Sequence, residues 1–149
     1  MKAKLLSLTL LVVAVVFMTG CGGKKLVCTM EQEQSFSGVG VKMSTEISFG
    51  LTKDDVVDSA SADIKVEIDK ASYEELEKAG QAKQTMDYFA TQMEKSFTSS
   101  MPADAVKANT KVNKNVVTVT ADIDMSKAGE TKTKDEAIEY YESLGYKCK

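Results

Sequence analysis

The chain has no histidine and no tryptophan, and each of its 19 basic residues is a lysine. Without histidine it lacks both the commonest general base and the commonest transition-metal ligand. Without arginine it lacks the planar fork that grips phosphate or carboxylate through two parallel bonds. Catalysis is left to Asp, Glu, Ser or Lys chemistry, so a non-enzymatic role is expected, with a carboxylate- or lysine-based hydrolase as the lesser reading. No cofactor is indicated. Against 22 acidic residues the net charge is −3, which argues against nucleic acid as a partner. A single proline, Pro102, interrupts the 149 residues.

What is present is concentrated first at the beginning. Lys2 and Lys4 precede an almost unbroken apolar run from Leu5 to Phe17, followed by Met18-Thr19-Gly20-Cys21. A bilayer span needs about 20 apolar residues, and this run is shorter. A positive start, a short apolar core and small residues mark a secretory signal peptide over residues 1–20. The cysteine directly after the small residues resembles a bacterial lipobox. That resemblance implies that Cys21 is the lipidated first residue of the mature protein. The expected location is then the bacterial cell envelope: the outer face of the plasma membrane, or the outer membrane where the source has one. The membrane is reached through the lipid on Cys21. Residues 21–25 form a short tether, and its Gly22-Gly23-Lys24-Lys25 stretch spans at most about 14 Å. Residues 26–149 suit a single domain. Removing Lys2 and Lys4 with the leader leaves 17 lysines against 22 acids, a net charge of −5.

Three cysteines are present. With Cys21 assigned to lipid, Cys28 and Cys148 remain. On the exported side of a membrane an even pair is most simply a disulfide; two buried thiols or a redox pair are the alternatives. A bridge would close a loop of about 120 residues, worth up to roughly 4–5 kcal/mol in the chain-entropy account.

Along the rest of the chain the apolar period alternates between two and about three and a half. Leu26, Cys28 and Met30 share one face of a first strand. Ser35 to Gly40 reads as a turn. Val41, Met43, Thr45, Ile47 and Phe49 then repeat with period two. Thr52 to Asp55 is a polar turn, and Ala60, Ala62, Ile64, Val66 and Ile68 form the face of a third strand. Ser72 and Glu75 read as a capping box. They open a helical stripe of Leu76, Ala79, Ala82, Met86, Phe89, Ala90, Met93, Phe97 and Met101. Gly80 is placed to split that segment, and Pro102 to stop it. Val106, Ala108, Thr110 and Val112 precede a hairpin turn at Asn113-Lys114-Asn115. Val117, Val119, Ala121, Ile123 and Met125 follow. Ser126 to Lys134 reads as polar loop, and Thr133 and Glu136 as a second capping box. Gly145 is the expected C′ residue of the last helix, after which Tyr146 to Lys149 return to the sheet. The expected fold class is α+β: an antiparallel sheet of about five strands in the order β-β-β-α-β-β-α, with one long and one short helix packed on one face.

Cys21 with Gly22-Gly23, the strand Leu26 to Met30, the Phe49-to-Val57 hairpin, the long Met/Phe helix and the ending Gly145-Tyr146-Lys147-Cys148-Lys149 together resemble the YehR-like bacterial lipoproteins. The likeness covers nearly all of the mature chain and rests on layout and the two-cysteine frame. It implies a small surface lipoprotein without a settled activity, with Cys21 as lipid site and Cys28–Cys148 as bridge.

Other chemistry is weaker. Met30, Met43, Met86, Met93, Met101 and Met125 invite a soft-metal site, yet thioethers on the inner faces of strands and helix fill cores well. Asp122 and Asp124 occupy the outward phase of a strand. Ser96 to Ser100 have no partner histidine and no nucleophile elbow. The functional expectation is a membrane-anchored binding or accessory module. The alternative is a small-molecule or lipid carrier with a pocket between helix and sheet.

Overall fold

The computed structural model describes residues 24–99, 101–129 and 132–149. Cys21 and the leader lie outside the described residues. In chain order the elements are β1 (Lys24–Phe36), β2 (Val39–Leu51), β3 (Val57–Ile68), α1 (Lys70–Lys78), α2 (Ala82–Ser99), β4 (Val106–Asn113), β5 (Val116–Asp124), α3 (Met125–Ala128), α4 (Lys134–Ser143) and β6 (Lys147–Cys148). The strands form one antiparallel sheet in the order β4-β5-β3-β2-β1-β6. The class is therefore α+β with six strands rather than about five, because Lys147 and Cys148 pair with Thr29 and Cys28 at the edge of β1.

Period-two alternation puts one apolar side chain per strand into continuous rows across the sheet. One row runs Leu26–Phe49–Ala60–Ile123–Val106, and the next runs Cys28–Ile47–Ala62–Ala121–Ala108. The helices cover this apolar face in two groups. Over the end nearest Lys24, Ala137, Ile138 and Tyr141 of α4 pack with Leu26, Cys28, Ile47 and Phe49. Over the far end, Tyr73, Leu76, Met86, Phe89, Ala90 and Met93 from α1 and α2 pack with Val41, Val66, Ile68, Val117 and Val119. The core is thus one sheet face sealed by separate helical pieces.

Those pieces differ from one long and one short helix. Gly80, at φ +70°, adopts a conformation that a side chain disfavours, and it divides the apolar stripe into α1 and α2. Met101 lies past the end of α2 and packs over the Lys24 end of the core. The cap of α1 is Asp69, not Ser72. Asp69 follows β3 directly, and its side chain accepts from the Ser72 N–H at 2.9 Å and the Ser72 hydroxyl at 2.6 Å. The same carboxylate accepts from the Gly40 N–H at 2.9 Å, tying α1 to the start of β2. Part of the expected loop after β5 is α3, capped by Asp124, which accepts from Ser126. At the β4–β5 turn the positive φ falls on Lys114. Asn115 instead donates its side-chain amide to the Ile68 carbonyl at 2.8 Å. The Thr133–Glu136 capping box is present in both directions.

The caps make stability pH-dependent. Hydrogen bonds from Ser72 hold the Asp69 carboxyl below its ordinary value, those from Ser126 do so for Asp124, and those from Thr133 for Glu136. A carboxylate depressed in the folded state supports the fold above its ordinary value and withdraws that support as pH falls through its folded value. Asp63 has the opposite sign, because burial and then the Asp122 charge raise it. Three depressed groups against this one set the expected result: the melting temperature falls as pH drops below about 4. Thermal melts followed by circular dichroism between pH 6 and 3 check this. A flat or rising profile would refute the capping account.

Candidate functional site

Side chains of the opposite phase stand on the face that carries no helix among the described residues. Reading across the strands, its rows are Lys25–Gly50–Ser59–Asp124, then Val27–Ser48–Ser61–Asp122–Lys107, then Thr29–Glu46–Asp63–Thr120–Asn109. At the end where Lys24 enters the sheet, this face hollows into a basin of about 680 Å³. Its polar floor is Ser48, Gly50, Ser59 and Ser61, and its rim carries Asp58, Asp104, Asp122 and Asp124 with Lys24, Lys25, Lys107 and Lys127. The hollow exists because small residues occupy outward positions of two adjacent central strands. At Gly50 an added Cβ would collide with the Ser59 hydroxyl oxygen, so the Ser59 side chain lies directly across the glycine. The register also shifts at Gly50/Leu51, and such irregularities re-aim neighbouring side chains. A smaller hollow of about 290 Å³, lined by Asn109, Lys111, Asn113, Thr118 and Thr120, lies further along the same face.

Several rim groups are already engaged. Lys24 pairs with Asp55 at 3.1 Å. Asp124 accepts from the Ser126 hydroxyl and lies 3.9 Å from Lys127. Asp58 accepts from the Ser59 hydroxyl at 3.0 Å. The side chains of Asp104, Asp122 and Lys107 make no hydrogen bond or ion pair among the described residues. The rim therefore offers two acceptors and one cation over a hydroxyl floor. Such an arrangement can hydrogen-bond polar or charged groups, while Phe49, which borders it, turns its ring to the helix-covered face.

The sulfurs of Cys28 and Cys148 are at bonding distance, 2.03 Å, across 120 residues of sequence. The cysteines face each other in the β1–β6 pair. Beside them Val27 and Lys149 exchange both backbone bonds, at 2.9 and 2.8 Å. Around this clasp, the Tyr141 ring sits 5.2 Å from Phe49 and 5.4 Å from Tyr146. The Tyr146 phenol is hydrogen-bonded to the buried Thr45, and burial pushes its pKa up. These tyrosines turn α4 and β6 into a lid on the apolar end of β1 and β2.

The remaining sequence candidates are scattered. Met43, Met86 and Met93 join the core over the far end, while Met101 and Met125 join the core over the Lys24 end. Met30 accepts at its sulfur from Gln32. Among the described residues, no group of Cys, Asp and Glu could hold a metal ion. Asp122 stands on the basin rim and Asp124 caps α3. Ser96 and Thr98 bond back to helix carbonyls of Met93 and Glu94. Tyr88 is exposed, and Tyr140 is exposed beneath the Lys132 ammonium, which lies 4.1 Å from its ring. The basin was missed from sequence. Its signal was the run of Ser48, Gly50, Ser59 and Ser61 at outward positions where long polar side chains usually stand.

No helix among the described residues is long and apolar enough to cross a membrane. Comparison with protein-family models, with curated proteins and with solved structures finds no match to this chain.

Proposed function

We propose that this chain is an exported surface lipoprotein of the YehR-like kind, held in the bacterial envelope by lipid on Cys21. It acts as a non-catalytic binding module through the bare face of its sheet. The observation that carries this reading is the basin beside Lys24. Among the described residues, four helices cover one face of the six-stranded sheet and none covers the other. That open face is hollow and hydroxyl-floored where the tether joins. A volume near 680 Å³ falls within the range of small-ligand sites, about 300–1,000 Å³. The lipobox and the two glycines after Cys21 support the anchor, and the absence of histidine supports a binding role over catalysis.

The test is site-specific photocrosslinking on intact cells. A photoreactive residue in place of Ser61, in the basin, is expected to give a discrete adduct. The same residue in place of Glu74, exposed on α1, is expected to give none. Cys21→Ser is expected to release the protein from the membrane fraction or to leave it unprocessed. No adduct at position 61, or adducts at both positions alike, would count against the binding face. Normal processing and retention of Cys21→Ser would count against the anchor.

A further inference from the structure

Beyond the basin, the sheet has an edge that its own chain closes only in part. Strand β6 pairs with Cys28 and Thr29. Just before it the chain turns away at Gly145, φ +93°. Strand β1 continues to Phe36, and among the described residues no strand pairs with it on that side. Because Val27 exchanges both backbone bonds with Lys149, the alternation of an antiparallel ladder fixes which residues face outward. Even-numbered residues of β1 bond to β2. The N–H and C=O groups of Glu31, Glu33 and Ser35 point to the open edge.

Edges of this kind pair with extended chains, and the side chains here are selective. Glu31 and Glu33 are exposed on the open face of the sheet, and Gln32 and Gln34 lie on the opposite face. Lys42 stands opposite Glu33 in the β1–β2 register and pairs with Glu31 at 3.9 Å, an exposed pair that offsets the two carboxylates only in part. A strand added at this edge places its own residues directly opposite Glu31 and Glu33 on the same face. An acidic or apolar segment is disfavoured there. The opposite edge strand, β4, carries Lys107 and Lys111 on that face and repels what the β1 edge attracts. Glu33 is also nine residues from Lys24, roughly 30 Å along the strand at about 3.3 Å per residue, well clear of the basin and the tether. We propose that the β1 edge from Glu31 to Ser35 docks an extended polypeptide segment carrying lysine or arginine at alternate positions, which adds to the sheet as a further strand.

The test is amide hydrogen exchange by NMR on the purified, disulfide-bonded protein. The probe is acetyl-Lys-Thr-Lys-Thr-Lys-Thr-amide, and its counterpart with glutamate in place of lysine is the control. The lysine peptide is expected to slow exchange at Glu31, Glu33 and Ser35 by about tenfold or more. Gln32 and Gln34, already bonded to β2, are expected to change little. Glu33→Pro removes an edge donor that the fold does not use, and proline is tolerated at such edge positions, so it is expected to abolish the slowing. Should that variant fail to fold, the double variant Glu31→Lys/Glu33→Lys keeps every backbone bond and is expected to respond to the glutamate peptide instead. No slowing with the lysine peptide, equal slowing by both peptides, or persistence in folded Glu33→Pro would overturn the proposal. So would slowing that tracks protein concentration without peptide, which would mean that a second copy occupies the edge.

Discussion

Replacing Cys28 and Cys148 together with alanine is expected to lower the melting temperature by roughly 10–20 °C. The bridge spans 120 residues, and a closed loop of that length removes about 4–5 kcal/mol of chain entropy from the unfolded state. In a domain of this size each kcal/mol is worth about 3–5 °C. The folded side adds to the loss. Cys28 is fully buried, in the row with Ile47 and Ala62, so its replacement also thins the core. Strand β6 is two residues long and holds to β1 through few backbone bonds. Without the covalent link, it and the last turn of α4 are expected to open first. Reduction of the wild-type protein should reproduce the shift. A loss of less than about 1 kcal/mol in denaturant titration would mean that the tyrosine packing alone holds the lid.

Phe49→Ala is expected to cost about 3–5 kcal/mol. Phe49 is 3% exposed, and its ring meets Tyr141 at 5.2 Å. Its neighbours across the sheet are Leu26 on one side and the small Ala60 on the other, with Ala62 and Ala121 in the next row. Alanines cannot reach into the vacated volume, so the cavity persists rather than collapsing. Phe49→Leu keeps most of the volume and is expected to cost under about 1.5 kcal/mol. Equilibrium urea unfolding of the two variants checks the difference. Equal costs would show that the aromatic contact, rather than the filled volume, is what β2 supplies there.

The sheet was legible because period-two alternation is a direct consequence of strand geometry, and the face chosen by Ala60, Ala62, Ile64, Val66 and Ile68 leaves one register for its neighbours. The split at Gly80, the capping box at Thr133 and the return of Tyr146 to Lys149 were legible for the same kind of reason: each is a local signal with a local cause. The N-terminus of α1 was not. Asp69, the one residue between β3 and α1, is both the helix cap and the clamp on Gly40; the Ser72 and Glu75 spacing three residues on matches a capping box as well, and only the nonlocal Gly40 contact favours Asp69. A four-residue helix such as α3 is too short to show a period. The sixth strand is two residues long, so it is defined by its partner rather than by its own pattern. The basin was hidden for a different reason. It is made by what Ser48, Gly50, Ser59 and Ser61 omit, and its rim gathers residues from β1, β3, β4, β5, α3 and the segment before β4 that only the strand order brings together.

The most direct measurement is the intact and peptide mass of the mature protein isolated from its membrane fraction without reduction. The account predicts an N-terminal peptide that begins at Cys21 and carries lipid, with Cys28 joined to Cys148 in the same molecules. An N-terminus elsewhere, an unmodified Cys21, or free thiols at positions 28 and 148 would contradict it.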